Sequence, residues 1–181
     1  MSFVVNETVK IVSYGPEVTR IGVISDTHLP TRALMIPRKI FEIFTEVQLI
    51  LHAGDLVDQS VIDELGVIAP VEAVAGNMDP LHLDHKLGRV KLIKIGPLAI
   101  GLLHGDIGGR AVHFNRVRDL FLPDQPAVII FGHLHEPVNK RVDGILYFNP
   151  GSAVEPRRVA KPSCGLLTIR GMEICGEIIY Y

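Results

Sequence analysis

"AVIIFGHLHEP", residues 127–137, ends an apolar, branched run in two histidines one residue apart. Glycine precedes the pair and proline soon follows it. A short apolar run closed by such breakers reads as a buried strand. One histidine at its end could be accidental. Two in G-H-x-H point to a metal, and the rest of the chain must then supply the other ligands.

Working outward, 21–24, 49–51, 71–75 and 98–103 are further short runs rich in branched residues and bounded by Gly, Pro or Asp. Between them Ile40, Ile43, Phe44 and Val47 share one helix face, as do Val61, Leu65 and Ile68, and then Phe114, Val117 and Phe121. Alternating strands and helices predict an α/β layered fold. The C-terminal part differs. Residues 144–148 read as a strand, and 165–169 and 173–180 flank Arg170-Gly171 as a hairpin. These strands are expected to be antiparallel, in a second sheet or at its edge. Val9, Ile11 and Ser13 alternate weakly, so residues 1–19 are expected as an N-terminal edge extension. With no repeat or linker, residues 1–181 read as one domain.

The 181 residues suffice for a real core, and 48% hydrophobic against 21% charged residues is a globular composition. A net charge of -2 gives no strong nucleic-acid footprint. No apolar run approaches the roughly 20 residues that span a bilayer, so no membrane partner is expected. The N-terminus has no signal-peptide pattern. The two cysteines, Cys164 and Cys175, read as reduced core thiols of a cytoplasmic protein.

Each apolar strand ends in residues that can bind metal: Asp26 and His28, Asp55, Asn77, His104, and His133 with His135. In open α/β sheets ligands bind beyond the carboxyl ends of strands. Singly, each has a plainer reading: Gly-Asp is usually a turn, Asn77 a cap, His104 a satisfied core histidine. Seven such side chains at equivalent strand ends exceed one four-coordinate ion. Two divalent ions about 3.5–4 Å apart, sharing a carboxylate, could use them all. Imidazole, carboxylate and amide donors suit manganese, iron, zinc, nickel or cobalt, with manganese first among the expectations.

The ordered set D-T-H, G-D, G-N, H-G-D and G-H-L-H resembles the calcineurin-like metallophosphoesterase superfamily. "NPGS", residues 149–152, with Pro156-Arg157, is similar to its small YfcE-like phosphodiesterase branch. The resemblance implies a four-layer α/β/β/α sandwich of two mixed sheets flanked by helices. It implies one metal held by Asp26, His28 and His135, a second by Asn77, His104 and His133, and Asp55 as the bridge. Asp55, Asn77 and His104 are also the expected catalytic positions. The implied function is phosphodiester hydrolysis by a metal-activated hydroxide at a binuclear centre, on a small-molecule or nucleotide diester. A homo-oligomer is left open.

One departure narrows the reading. Many members of the superfamily read G-N-H-[DE], and here the motif is Gly76-Asn77-Met78-Asp79. A thioether donates no proton. The YfcE-like branch shares that lack, which argues against efficient monoester hydrolysis. The alternatives are a broad-specificity metallophosphatase and a non-catalytic interaction module, for which the retromer coat subunit of this fold is the precedent. His52 is expected to pack or support the site, and Asp79 to orient a ligand or make a turn. His82 and His85 are expected on a loop that could overhang the site. Residues 105–110 read as an anion-binding-like turn, and Arg157 and Arg158 as surface charges able to meet a phosphate.

Overall fold

The computed structural model describes residues 8–106, 114–122 and 124–181. The chain runs β1 (Lys10–Tyr14), β2 (Arg20–Ile24), α1 (Arg38–Ile43), β3 (Leu49–His52), α2 (Ser60–Gly66), β4 (Val71–Ala73), α3 (Leu81–Leu87) and β5 (Val90–Ile95). It continues through β6 (Leu98–Leu103), α4 (Phe114–Asp119), β7 (Val128–Ile130), β8 (Val138–Val142), β9 (Ile145–Asn149), β10 (Ser163–Arg170) and β11 (Glu173–Tyr180). One sheet is ordered β11-β10-β2-β3-β4 and the other β1-β5-β6-β7-β9-β8.

The apolar runs are continuous because these strands are covered on both faces. Ile21, Val23, Leu49 and Leu51 of one sheet meet Ile100, Leu102, Val128, Ile130 and Phe148 of the other in a shared core. On its outer face the first sheet packs Ile24 and Ile50 against Ile40, Val61, Leu65, Leu83 and Leu87 of α1, α2 and α3. The second packs Leu103 and Ile129 against Val117 and the nearby Phe121. The result is the four-layer α/β/β/α arrangement. At one rim of the sandwich, Lys91 reaches Glu72 at 2.7 Å and the Tyr14 hydroxyl donates to Glu72 at 2.9 Å, tying β5 and β1 to β4. At the other, Asn139 and Arg141 of β8 donate to the Gly176 and Ile174 carbonyls of β11.

The edge strand anticipated near the N-terminus is β1, paired in parallel with β5. The sheets do not divide the chain into halves, however. The C-terminal hairpin β10–β11 joins the first sheet, with β10 antiparallel to β2. Two strands escape the sequence reading. In β5, lysines at 91 and 94 interrupt the apolar run, though Lys91 is buried against Glu72. In β8, Val-Asn-Lys-Arg-Val is an edge strand with little apolar surface to hide. His82 and His85 lie on helix α3 rather than on a loop; Leu83 and Leu87 turn inward and leave both histidines exposed. Cys164 is buried, but Cys175 is exposed, so only one thiol is in the core. Ile107 to Arg110 of the anticipated anion-binding turn lie outside the described residues. No helix among the described residues is long and apolar enough to cross a membrane.

Phe148 fixes how closely the sheets approach. Its ring lies against Gly165 and Gly176 of the opposite sheet, where a Cβ would overlap it. Phe148→Ala should cost about 3–5 kcal/mol of stability, and Gly165→Ala about 1–3 kcal/mol by overpacking. Denaturant unfolding of both variants checks this; a midpoint unchanged in either would show that the inter-sheet spacing does not rest on this contact.

Candidate metal centre

Asp26 and His28 follow β2, Asp55 follows β3, Asn77 follows β4, His104 follows β6, and His133 and His135 follow β7. Strands β2, β3 and β4 are parallel, as are β6 and β7, so within each sheet these ends leave in one direction. The backbone then turns sharply. Asp26, His28, Asp55, His133 and His135 all have positive φ, between 47° and 66°. Side chains in that conformation turn back over the strand ends instead of continuing outward. Ladder-like hydrogen bonds hold the turns: Asp26 N–H to the Gly54 carbonyl, His28 N–H to that of Asp55, and Gly132 N–H to that of His104.

All seven anticipated side chains converge. Asp26, His28 and His135 place ligand atoms within 4.8 Å of one another, and so do Asp26, Asp55 and His104. Asp55 Oδ2 stands between two imidazoles, 3.7 Å from His28 Nε2 and 3.3 Å from His104 Nε2. Asn77 Oδ1 lies 3.2 Å from His104 Nε2 and 3.1 Å from His133 Nδ1. Asp26, His28, Asp55, His104 and His135 are buried, whereas Asn77 is exposed and His133 half-buried.

The donor set fits a cation. His135 Nδ1–H donates to the Glu155 carbonyl at 2.7 Å and His104 Nδ1–H to that of Ala53 at 2.7 Å. Each Nε2 is thereby turned inward, the outer-sphere arrangement that orients ligand histidines. His28 Nε2 and His135 Nε2 approach to 3.4 Å. Asp26 Oδ1 is fully buried, 3.3 Å from His135 Nε2, and makes no hydrogen bond. Buried acceptors rarely stay unpaired, and a divalent ion would satisfy several at once.

The charges are poised in the same sense. Burial opposes ionisation of Asp55, but His104, the Met78 N–H and His28 overcome it and hold the carboxyl at about 2. Burial likewise opposes ionisation of Asp26, yet His135, His104 and Ser25 keep it below the usual range. For His104, burial favours the neutral ring, but Asp55, Asp26 and the Ala53 carbonyl outweigh it and raise it to about 9. His52 behaves differently. Its Nδ1 accepts the Gly54 N–H at 3.2 Å, so Nε2 carries the hydrogen toward Thr27 Oγ1 at 3.1 Å. Burial drives it down to about 3, which makes it a neutral supporting residue.

Sequence reasoning missed much of the support. Asp79, noted only as an orienting residue or a turn, accepts the backbone N–H groups of Asp55, Val57 and Gly76. Ser25 Oγ contacts Asp26 Oδ2 at 2.7 Å and the Gly151 carbonyl at 2.8 Å. Ser152 Oγ donates to the Asp26 carbonyl, and Asn149 to that of Gly132. The "NPGS" run therefore braces the turns that carry Asp26 and His133. Its one visible signal was its place in the family pattern.

The family model for the calcineurin-like phosphoesterase superfamily domain matches residues 19–172. The chain belongs to that superfamily. It is 42% identical over 159 residues to a probable metallophosphoesterase of Methanothermobacter thermautotrophicus, covering 88% of this chain and 91% of the relative. It is 30% identical over 166 residues to a phosphodiesterase of Methanocaldococcus jannaschii, covering 82% and 87%. Among solved structures it resembles the wild-type Vps29 of Entamoeba histolytica complexed with Zn2+, with a TM-score of 0.69 and 28% identity over 89% of this chain and 98% of that one. The phosphoesterase fold thus accounts for the two mixed sheets and for the clustered aspartates and histidines.

Two outcomes follow from this geometry. An amide at 79 has one acceptor oxygen for three N–H groups, so Asp79→Asn should weaken divalent-metal affinity about 10–100-fold, read by metal titration. Below about pH 9 His104 carries a proton that a metal must displace. Calorimetry at pH 7 in buffers of different ionisation enthalpy should show about one proton released per metal loading; no buffer dependence would mean His104 takes no part.

Proposed function

We propose that this chain is a phosphodiesterase with a binuclear metal centre in a single cytoplasmic domain. Asp26, His28 and His135 would hold one ion, Asn77, His104 and His133 the other, and Asp55 would bridge them. Manganese is the first expectation for both. Two such ions would supply Lewis acidity toward a water and toward phosphoryl oxygens.

The observation that carries the diester reading is Met78. It follows Asn77 at the mouth of the centre, 56% exposed, with its N–H committed to Asp55 Oδ1 at 2.8 Å. Its thioether can orient nothing by hydrogen-bond donation and protonates no leaving oxygen. His82, on α3, bears on Asp58. What the chain's own groups do is hold charge in place. Asp55 and Asp26 stay ionised, and the carbonyls of Ala53 and Glu155 fix two imidazoles with their inner nitrogens facing the centre. Such a site favours esters whose leaving group needs no proton. The similarity to the M. jannaschii phosphodiesterase supports the same class.

The test is hydrolysis of matched diesters and monoesters by metal-stripped protein, restored with single divalent metals. Diester hydrolysis should vanish on stripping and return on reloading; turnover that survives stripping would overturn the reading. Asp55→Asn should lower kcat/KM at least about 100-fold, more than outer-sphere changes usually do. Met78→His should raise alkyl-ester relative to aryl-ester hydrolysis, by about 10-fold and below the full 10²–10⁴ of a well-placed general acid. No diester turnover with any metal would instead favour a role in protein interaction.

A further inference from the structure

Two arginines flank the His28–His135 side of the centre and take no part in the chemistry above. Arg32 lies one turn beyond His28, with its N–H donating to the His28 carbonyl at 2.9 Å. Its side chain reaches Glu155, with Nε 3.3 Å from Oε1. Arg157 approaches the same carboxylate from its other oxygen, at 3.6 Å. Glu155 is itself anchored in the site: its carbonyl accepts His135 Nδ1–H at 2.7 Å, and its N–H donates to Ser152 Oγ at 2.8 Å. The charge of Arg157 bears on His135, and that of Glu155 on His28.

The pairing is poor for charged groups. Both separations exceed the roughly 2.7–2.9 Å of a charge-assisted hydrogen bond. Glu155 Oε2 is buried without a hydrogen bond, while the two arginine side chains stay 56% and 52% exposed. One carboxylate is shared between two guanidiniums, so positive charge and several donors remain directed at solvent beside the centre. The neighbouring Arg158 is matched by its own carboxylate, Glu136, at 3.5 Å. Exposed ion pairs of this kind are weak and readily exchanged.

We propose that Arg32 and Arg157 form an anion subsite that binds a second phosphate carried by the substrate, with Glu155 occupying the two arginines until it arrives. This rests on the phosphodiesterase reading and narrows its substrate class to diesters that also bear a phosphomonoester. A guanidinium fork matches phosphate oxygens in bidentate fashion. A phosphomonoester near neutral pH carries more charge than the single carboxylate it would displace, so it can serve both arginines together. A ligand bearing only a carboxylate would exchange Glu155 for its equal.

The test is calorimetric binding to the manganese-loaded protein. Adenosine 3′,5′-bisphosphate should bind at least about 10-fold more tightly than adenosine 5′-monophosphate. In Arg32→Gln and in Arg157→Gln that ratio should fall to within about 3-fold, and Arg157→Lys should restore only part of it because a point charge lacks the fork. Thermal unfolding and metal content confirm that the variants are intact. Fructose 1,6-bisphosphate against fructose 6-phosphate separates the carriers: a preference in both pairs indicates recognition of phosphate alone, and one confined to the nucleoside pair indicates nucleotides. Equal affinities in the wild-type protein, or a ratio unaltered in both glutamine variants, would overturn the subsite. Wild-type hydrolysis of bis(p-nitrophenyl) phosphate is measured alongside. Hydrolysis without a bisphosphate preference removes the subsite and leaves the phosphodiesterase. A preference without hydrolysis of any diester removes the phosphodiesterase and leaves the subsite.

Discussion

Five of the seven side chains at the centre sit on left-handed backbone: Asp26, His28, Asp55, His133 and His135. A non-glycine residue held there costs on the order of 1–3 kcal/mol, and such residues persist only where the surroundings over-determine them. The constraint comes from reach. Aspartate and histidine side chains are short, and those at the ends of neighbouring strands would diverge if the chain simply ran on. Turning each one back inward brings them together. The surrounding structure supplies the restraint through Asp79 under the Asp55 turn, Ser25 and Ser152 against Asp26, and Asn149 against Gly132.

That convergence creates an electrostatic problem. Carboxylate oxygens and inward ring nitrogens are packed into a buried volume, and Asp26 Oδ1 has no hydrogen bond at all. Something positive must occupy the space. In the protein alone the candidate is a proton on His104, raised to about 9 by the carboxylates around it. A divalent ion does the same task with more charge and more ligands, so proton and metal compete for one set of groups. Both answers depend on outer hydrogen bonds to Ala53 and Glu155, which aim the rings inward.

Glu155 links this inner set to the rim. Its carbonyl orients His135 and its carboxylate gathers Arg32 and Arg157. The distribution of charge is therefore layered, with acidic and imidazole groups within and guanidiniums outside. Met78 adds an apolar, non-donating group at the opening beside Asn77. Together these features leave guanidiniums at the rim and no proton donor at the position next to Asn77.

Much of this was legible in the chain. The runs at 21–24, 49–51 and 128–130 read as strands buried on both faces, an environment that short apolar runs rich in branched residues suit. The spacing of the ligand types after each run determined which side chains could meet, and Met78 was readable as the absence of a donor. Tertiary structure alone decided the rest. Strand β5 was hidden because Lys91 is neutralised by Glu72 from the other sheet, and β8 because an edge strand needs little apolar surface. Helix α3 was missed because only Leu83 and Leu87 are turned inward, too short a pattern to stand out. The hairpin β10–β11 joined β2 rather than its neighbours in sequence. The braces at Ser25, Asn149 and Ser152, and the pairing of Arg32 with Glu155, join residues far apart in sequence. Local patterning carries burial and periodicity, but which distant polar groups satisfy one another is settled only when two sheets pack.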